Sequence, residues 1–374
     1  MTVTLSNAKR IVVKIGSSLL VDPTTGAVHH RWLETLCQDI TRFHNRGQQV
    51  LIVSSGAIAL GRQCLNFANK TLRLEEKQAA AAAGMIRLAH AYQDILALSD
   101  ITVAQILLTM EDSENRRRYI NARNTLETLL KNNAVPLINE NDTTSTDEIR
   151  FGDNDRIAAR VAAMISADAI VLLSDIDGLY SSDPRLDKSA KHIPIVSERI
   201  TQEIENMAGN SGTNFGSGGM ITKIKAANIA MQAGSAMVVA DGRIDHPLNH
   251  IEDGGLCTWF YPKTTPTSAR KKWIAGSLKP VGAVIIDDGA LNALKDGGKS
   301  LLPAGVKKIE GHFERGDAVI VKSLAGEHIA RGLVAYSAVD AAKIIGNKSH
   351  EIETVLGYRG RDEMIHRDDL VFTQ

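Results

Sequence analysis

Residues 214–227 read NFGSGGMITKIKAA, three glycines and two small hydroxyl residues running into Lys223 at the start of a helical-looking stretch. Glycines let backbone N–H groups approach phosphate oxygens, and a lysine adds compact positive charge. The spacing fits neither familiar nucleotide fingerprint. In the Walker form a glycine precedes the lysine, whereas Lys223 follows Thr222; the dinucleotide form needs a third glycine where Ile221 stands. The stretch is therefore either a linker or a phosphate site of another design. Lys14 interrupts the apolar run IVVKIG, where an ammonium group is costly to bury without a partner. It reads as a snorkelling or edge-strand lysine, or as a cation held at a strand exit to meet phosphate. In FGDNDRIAARVAAMI (151–165), Asp153, Asn154 and Asp155 stand just before an amphipathic helix. One of them suffices for a helix cap. Two carboxylates flanking an amide could also orient lysines, bind the water shell of Mg2+ or hold a substrate ammonium.

Other small and polar residues gather at the ends of apolar runs: Gly16-Ser17-Ser18, Ser54-Ser55-Gly56, Asn139-Glu140-Asn141-Asp142, and Ser174-Asp175 before Asp177-Gly178. Each alone is a strand giving way to a turn. Together they fit one ligand site, because open α/β sheets bind ligands beyond the carboxyl ends of their strands. His29-His30 lacks a third metal ligand and reads as surface. No Gly-x-Ser-x-Gly elbow, His-Glu-x-x-His helix or Cys–His pairing occurs, so hydrolase and zinc chemistry lack support.

The positioning elements are legible in the hydrophobic pattern. Residues 10–18, 48–57, 101–109, 133–142, 168–178 and 235–242 are short, β-branched and almost continuously apolar, as strands buried on both faces must be. Helical segments are predicted over 31–46, 75–98, 117–132, 155–167 and 221–233. In the first, Leu33, Leu36, Cys37, Ile40 and Phe43 share one face, and Gly47 stops it. Alternating strands and helices predict a mainly parallel sheet between helices, an α/β sandwich, with the strand order left open. A first domain over 1–262 is followed by a Pro-rich, basic segment, 263–280, without apolar period, which reads as a linker. Residues 281–374 form short strands with Gly-rich turns and one helical stretch near 338–345, a small β-rich module.

Composition narrows the function classes. The 374 residues carry 44% hydrophobic and 23% charged side chains with a formal net charge of zero. That is ordinary for a soluble globular chain and provides no global field for nucleic acid or anionic membrane. Cys37, Cys64 and Cys257 are odd in number and far apart, which favours free thiols in a reducing compartment. Neither an apolar signal core nor a membrane-length apolar run is present, so the expected location is cytoplasmic.

The blocks VVKIGSS, SSGAIALG, NARNTLETLL, PLINENDT, FGDNDRIAA, LLSDIDGLY, DPR and GSGGMITKIKAA occur in the order seen in the glutamate 5-kinases of the amino-acid kinase family. The C-terminal blocks SLLPAGV, GHFERGD, GLVAY and SHEIETVLGY resemble a PUA domain. The resemblance covers essentially the whole chain and implies a three-layer α/β/α kinase domain. It implies transfer of phosphate from ATP to the γ-carboxylate of L-glutamate, with Mg2+ held mainly through the ATP phosphates and its direct protein ligands unassigned. By this resemblance, Lys14 and Lys223 bracket the transferring phosphoryl group and Asp155 holds them in place. Gly16, Ser17 and the 216–219 loop offer N–H groups, and Ser217, Gly218, Gly219, Met220, Ile221, Thr222 and Lys223 line the ATP site. Ser174 and Asp175 contact the nucleotide; relatives usually have Thr at the first position, and serine keeps the hydroxyl. Ser55, Asp142 and Asn154 bind glutamate, with Asp142 suited to the α-ammonium and Asp153 sharing that role or organising its loop. The family further implies feedback inhibition by proline near the loop 142–153, a homodimer or homotetramer, and handover of the labile acyl phosphate to a reductase.

Two alternatives stand beside this reading. One is a kinase of the same fold acting on N-acetylglutamate, aspartate or UMP. The other is RNA binding through the PUA-like module, with Arg270-Lys271-Lys272 as a small basic patch. Acidic residues slightly outnumber basic ones in that module, which is unfavourable for nucleic acid.

Overall fold

The structure is a computed structural model that describes residues 2–67, 71–144, 153–208, 219–276 and 279–373, without the side chains of Asp153 and Asp296. The chain divides into two compact units, Met1–Pro266 and Thr267–Gln374.

The first unit contains β1 (Arg10–Ile15), β2 (Gln49–Ser54), β3 (Val103–Leu108), β4 (Val135–Glu140), β5 (Ala169–Ser174), β6 (Leu179–Tyr180), β7 (His192–Ile193), β8 (Ile195–Glu198), β9 (Ala236–Asp241) and β10 (Cys257–Pro262). Among the described residues one eight-stranded sheet has the order β3-β4-β2-β1-β5-β9-β10-β8, and β6 pairs only with β7. Strands β3 to β9 along this order run parallel, whereas β10 is antiparallel to β9. All six predicted strand runs lie in this sheet, and β1 shows why they are continuously apolar. Ile11, Val13 and Ile15 pack into one core with Leu33, Phe43, Leu88 and Tyr92. Val12, between them, points into a second core with Ile157, Val161, Ile224 and Ala227. Helices His30–Asn45 and Leu74–Ala97 cover the first face; Arg116–Lys131, Asp153–Met164 and Met220–Gln232 cover the second. The five predicted helical segments are all present, within two or three residues at each end.

Helix Ala57–Cys64, which follows β2, crosses helix Leu74–Ala97 at backbone contact. A Cβ on Gly61 would stand 1.7 Å from the Ala80 carbonyl oxygen, and one on Gly84 1.7 Å from that of Ala57. No helix among the described residues is long and apolar enough to cross a membrane.

The second unit holds β11 (Gly282–Ile286), β12 (Val306–Gly311), β13 (Ala318–Lys322), β14 (His328–Leu333) and β15 (Leu370–Phe372), in the order β12-β11-β13-β14-β15. Helix Ala338–Ile344 matches the predicted stretch, and helix Asp288–Gly297, capped by Asp287, is an addition. The segment expected as linker is largely ordered: Pro266–Gly276 is an α-helix. Its sequence shows no apolar stripe because a single side chain does the burying, Ile274, which packs with Ala318, Leu333 and Val371. A second anchor is polar. Arg270 pairs with Asp369 at 2.5 Å, both side chains buried, and Arg331 Nη1 donates to the Ala275 carbonyl at 2.8 Å. Arg270 is therefore committed to a carboxylate and does not belong to an open basic patch.

Candidate active site

Lys14 lies one residue before the end of β1, between Val53 of β2 and Leu172 of β5 in register. Strand alternation puts its side chain on the face of Val12, beneath helices Asp153–Met164 and Met220–Gln232. Asp155, in the first turn of the former helix, is only 1% exposed. Lys14 Nζ stands 2.6 Å from Asp155 Oδ1, and Lys223 Nζ 3.7 Å from Oδ2. The Thr222 hydroxyl donates to the same Oδ2 at 2.9 Å. Burial alone would push the Asp155 carboxyl up. The ammonium groups of Lys14 and Lys223, with hydrogen bonds from Lys14 and Thr222, outweigh it and hold the pKa below the ordinary carboxylate value. For Lys223 burial is the leading influence and lowers the pKa; Lys14 adds to this, while Asp155 and Asp175 oppose it. Two buried cations thus share one buried carboxylate, an excess of positive charge suited to a polyanion.

The cluster adjoins the turn that follows β1. A Cβ on Gly16 would stand 3.9 Å from Lys14 Nζ, so the ammonium lies on the side of Gly16 that a side chain would occupy. Among the described residues nothing stands within 4 Å of a Cβ placed on Gly219, which precedes the helix carrying Met220, Ile221, Thr222 and Lys223. Next to Asp155 in sequence, Asn154 Nδ2 donates to Ser55 Oγ at 2.7 Å. Asn154 Oδ1 is buried and accepts no hydrogen bond among the described residues. On the neighbouring strand, Ser174 Oγ donates to Asp175 Oδ1 at 3.1 Å, and Gly242 N donates to the Ser174 carbonyl at 2.8 Å. The arrangement can neutralise transferring phosphate charge while a polar pair beside it orients an acceptor.

Residues 9–241 match the family model described as Amino acid kinase family. The chain is 62% identical over 367 residues to the Glutamate 5-kinase of Paramagnetospirillum magneticum, covering 98% of each chain. The chain belongs to the amino acid kinase family. It is also 56% identical over 360 residues to the Glutamate 5-kinase of Rhodospirillum rubrum, covering 96% of each. Residues 282–356 match the PUA domain model. Among solved structures, the carbamate kinase from Giardia lamblia bound to AMP-PNP superposes with a TM-score of 0.50 at 14% identity, over 69% of this chain and 100% of that one. That likeness concerns the amino acid kinase fold alone.

Within this amino acid kinase unit the structure brings Lys14, Asp155, Thr222 and Lys223 into one cluster and Ser55 with Asn154 into a second beside it. Gly16 borders the first cluster with Ser17 next in the chain, and Ser174 ends the adjacent strand β5 with Asp175 just beyond it. Asp142 is buried two residues beyond β4. Ser217, Gly218, the rest of the 209–218 glycine loop and the side chain of Asp153 lie outside the described residues. Sequence reasoning missed Tyr92 and did not distinguish Ser54 from its neighbours. Tyr92 follows Leu88 by one helical turn on the buried face, and a hydroxyl in so apolar a position signals a hydrogen-bond partner within. That partner is Ser54 Oγ, at 3.2 Å.

Proposed function

We propose that the chain transfers the γ-phosphoryl group of ATP to the γ-carboxylate of L-glutamate, giving L-glutamyl 5-phosphate, the first step of proline biosynthesis. The observation that carries this reading is the carboxylate of Asp155 held between Lys14 and Lys223, in a chain 62% identical to a Glutamate 5-kinase along its length. The acceptor carboxylate, with a pKa of about 4.3, is already an anion at neutral pH, so no general base is needed. The barrier is electrostatic: an anion must attack phosphorus within a polyanion. A glutamate oxygen forms the new P–O bond while the bond from the γ-phosphorus to the bridging oxygen breaks and ADP leaves. Lys14 and Lys223 stand on either side of the transferring group and stabilise the charge spread over its oxygens. Asp155 keeps both ammonium groups aimed, so little reorganisation is needed when the phosphate arrives. Ser55 and Asn154 hold the glutamate, Asp142 takes its ammonium group with Asp153 alongside, and Ser174 with Asp175 meets the nucleotide.

Asp155 is already engaged by Lys14, Lys223 and Thr222, which suits it to orienting cations and not to ligating a metal. Among the described residues no group of three or more His, Cys, Asp or Glu side chains could hold a metal ion. Mg2+ enters this reading as an ion held mainly through the ATP phosphates, where it would neutralise β- and γ-oxygen charge, with its direct protein ligands left open. Proline competing at the glutamate position, a homodimer or homotetramer through the kinase unit, handover to a reductase, and a cytoplasmic location complete the proposal. The three free cysteines support the last of these. RNA binding is the weaker reading, since Arg270 is tied to Asp369.

The testing experiment combines the full chain with ATP, Mg2+, glutamate and hydroxylamine, which traps an acyl phosphate as a hydroxamate. Hydroxamate above the no-enzyme blank, unaffected by N-acetylglutamate, aspartate or UMP and reduced by proline, is the expected result. A blank-level signal defeats the proposal.

A further inference from the structure

Beneath Ser55 lies a hydroxyl relay that the mechanism does not use. Tyr92 and Ser54 are both wholly buried, Tyr92 within the core formed by Leu33, Phe43 and Leu88. The Ser54 hydroxyl donates to the carbonyl oxygen of Ser55 at 3.1 Å, and its oxygen lies 3.2 Å from the Tyr92 hydroxyl. A serine hydroxyl has one proton, and a carbonyl can only accept. With the Ser54 proton on the Ser55 carbonyl, the proton between the two hydroxyls belongs to Tyr92. The relay has one direction: Tyr92 to Ser54 to the Ser55 carbonyl. Burial pushes the Tyr92 hydroxyl well above the ordinary tyrosine value, which keeps that proton in place. On its other side, Ser55 N donates to the Ile15 carbonyl at 3.0 Å. Both backbone groups of Ser55 are thus fixed, and its Oγ is left to meet Asn154 Nδ2. The next residue, Gly56, has φ +110°, and a Cβ there would press on Leu20 and Val21 at 3.3–3.4 Å. The helix that carries Tyr92 also grips the helix after Gly56 through the Gly61–Gly84 crossing.

We infer that Tyr92 is a positioning residue for the acceptor substrate, setting the aim of Ser55 Oγ through Ser54 without touching the substrate itself. The inference rests on the reading of Ser55 as a glutamate contact. Steady-state kinetics of the full chain, with glutamate and ATP varied separately, test it in Tyr92→Phe, Ser54→Ala, the double variant and Ser55→Ala. Removing one relay hydrogen bond is expected to raise the glutamate KM about tenfold, with kcat and the ATP KM little moved. The double variant should be no worse than the worse single one, because both remove the same relay. A merely structural role would lower the active fraction, leaving both KM values in place, and that result overturns the inference. Additive effects in the double variant overturn it as well. If Ser55→Ala raises the glutamate KM while Tyr92→Phe does not, positioning alone fails. If Ser55→Ala leaves it unchanged, the underlying assignment of Ser55 fails.

Discussion

Lys14 Nζ lies 2.6 Å from Asp155 Oδ1, and the carboxylate that receives it is almost wholly shielded from water. Removing the negative charge from this pair strands buried ammonium groups. Asp155→Asn keeps the size of the side chain but not its charge, so we expect a loss of about 3–5 kcal/mol in stability. Turnover should fall at least about a hundredfold, as lysines lose their aim. Denaturant midpoints and initial rates on the same preparation check both.

The pH dependence follows from the directions of the shifts. The folded pKa of Asp155 is depressed, so its stabilising contribution is fully present above the unfolded carboxylate value of about 3.9. It is lost as pH falls through the lower folded value. Acid titration of unfolding should show this loss in the parent chain, and Asp155→Asn should lack it.

Lys223 has the opposite linkage. Its folded pKa is depressed by burial, so holding it charged destabilises the native state below that pKa, and the cost is relieved as pH rises toward the unfolded value. Lys223→Met should therefore lower kcat by about 10²–10³ while leaving thermal stability at neutral pH equal or higher. A drop only in ATP affinity would mean that the lysine holds nucleotide and does not serve the transition state.

Asn154 reaches Ser55 Oγ at 2.7 Å and keeps a buried oxygen without a described partner. Asn154→Ala should raise the glutamate KM about tenfold or more and weaken inhibition by proline, with ATP saturation unchanged. Kinetics in both substrates, with and without proline, give the answer.

At the helix crossing, Gly84→Ala forces a methyl group to within 1.7 Å of the Ala57 carbonyl oxygen before relaxation. Backbone on both sides leaves no flexible side chain to yield. A destabilisation of about 3 kcal/mol is expected, read from the urea midpoint.

The kinase unit was readable because its strands are buried on both faces and its helices on one, so period and run length carry the assignment. Lys14, Asp155 and Lys223 stood out for a related reason: charges in apolar or capping contexts need partners. Which strands adjoin was not readable, since β5 lies between β1 and β9 through contacts distant in sequence. Strand β10, CTWFYP, escaped because aromatic and polar residues break its pattern. Helix Pro266–Gly276 escaped because its place depends on Ile274 and Arg270 finding partners up to about a hundred residues later. Tyr92 escaped because the meaning of a buried hydroxyl lies in a neighbour on another element.

The Arg270–Asp369 bridge bears on how the protein can be dissected. A fragment cut at the apparent end of the linker, near residue 280, would carry away the helix but leave its acid behind, exposing Ile274 and stranding a guanidinium. The matching C-terminal piece would keep Asp369 unneutralised and leave the apolar seat at Ala318, Leu333 and Val371 uncovered. A cut that separates the two units should fall before Pro266, so that donor and acceptor of the clasp are inherited together.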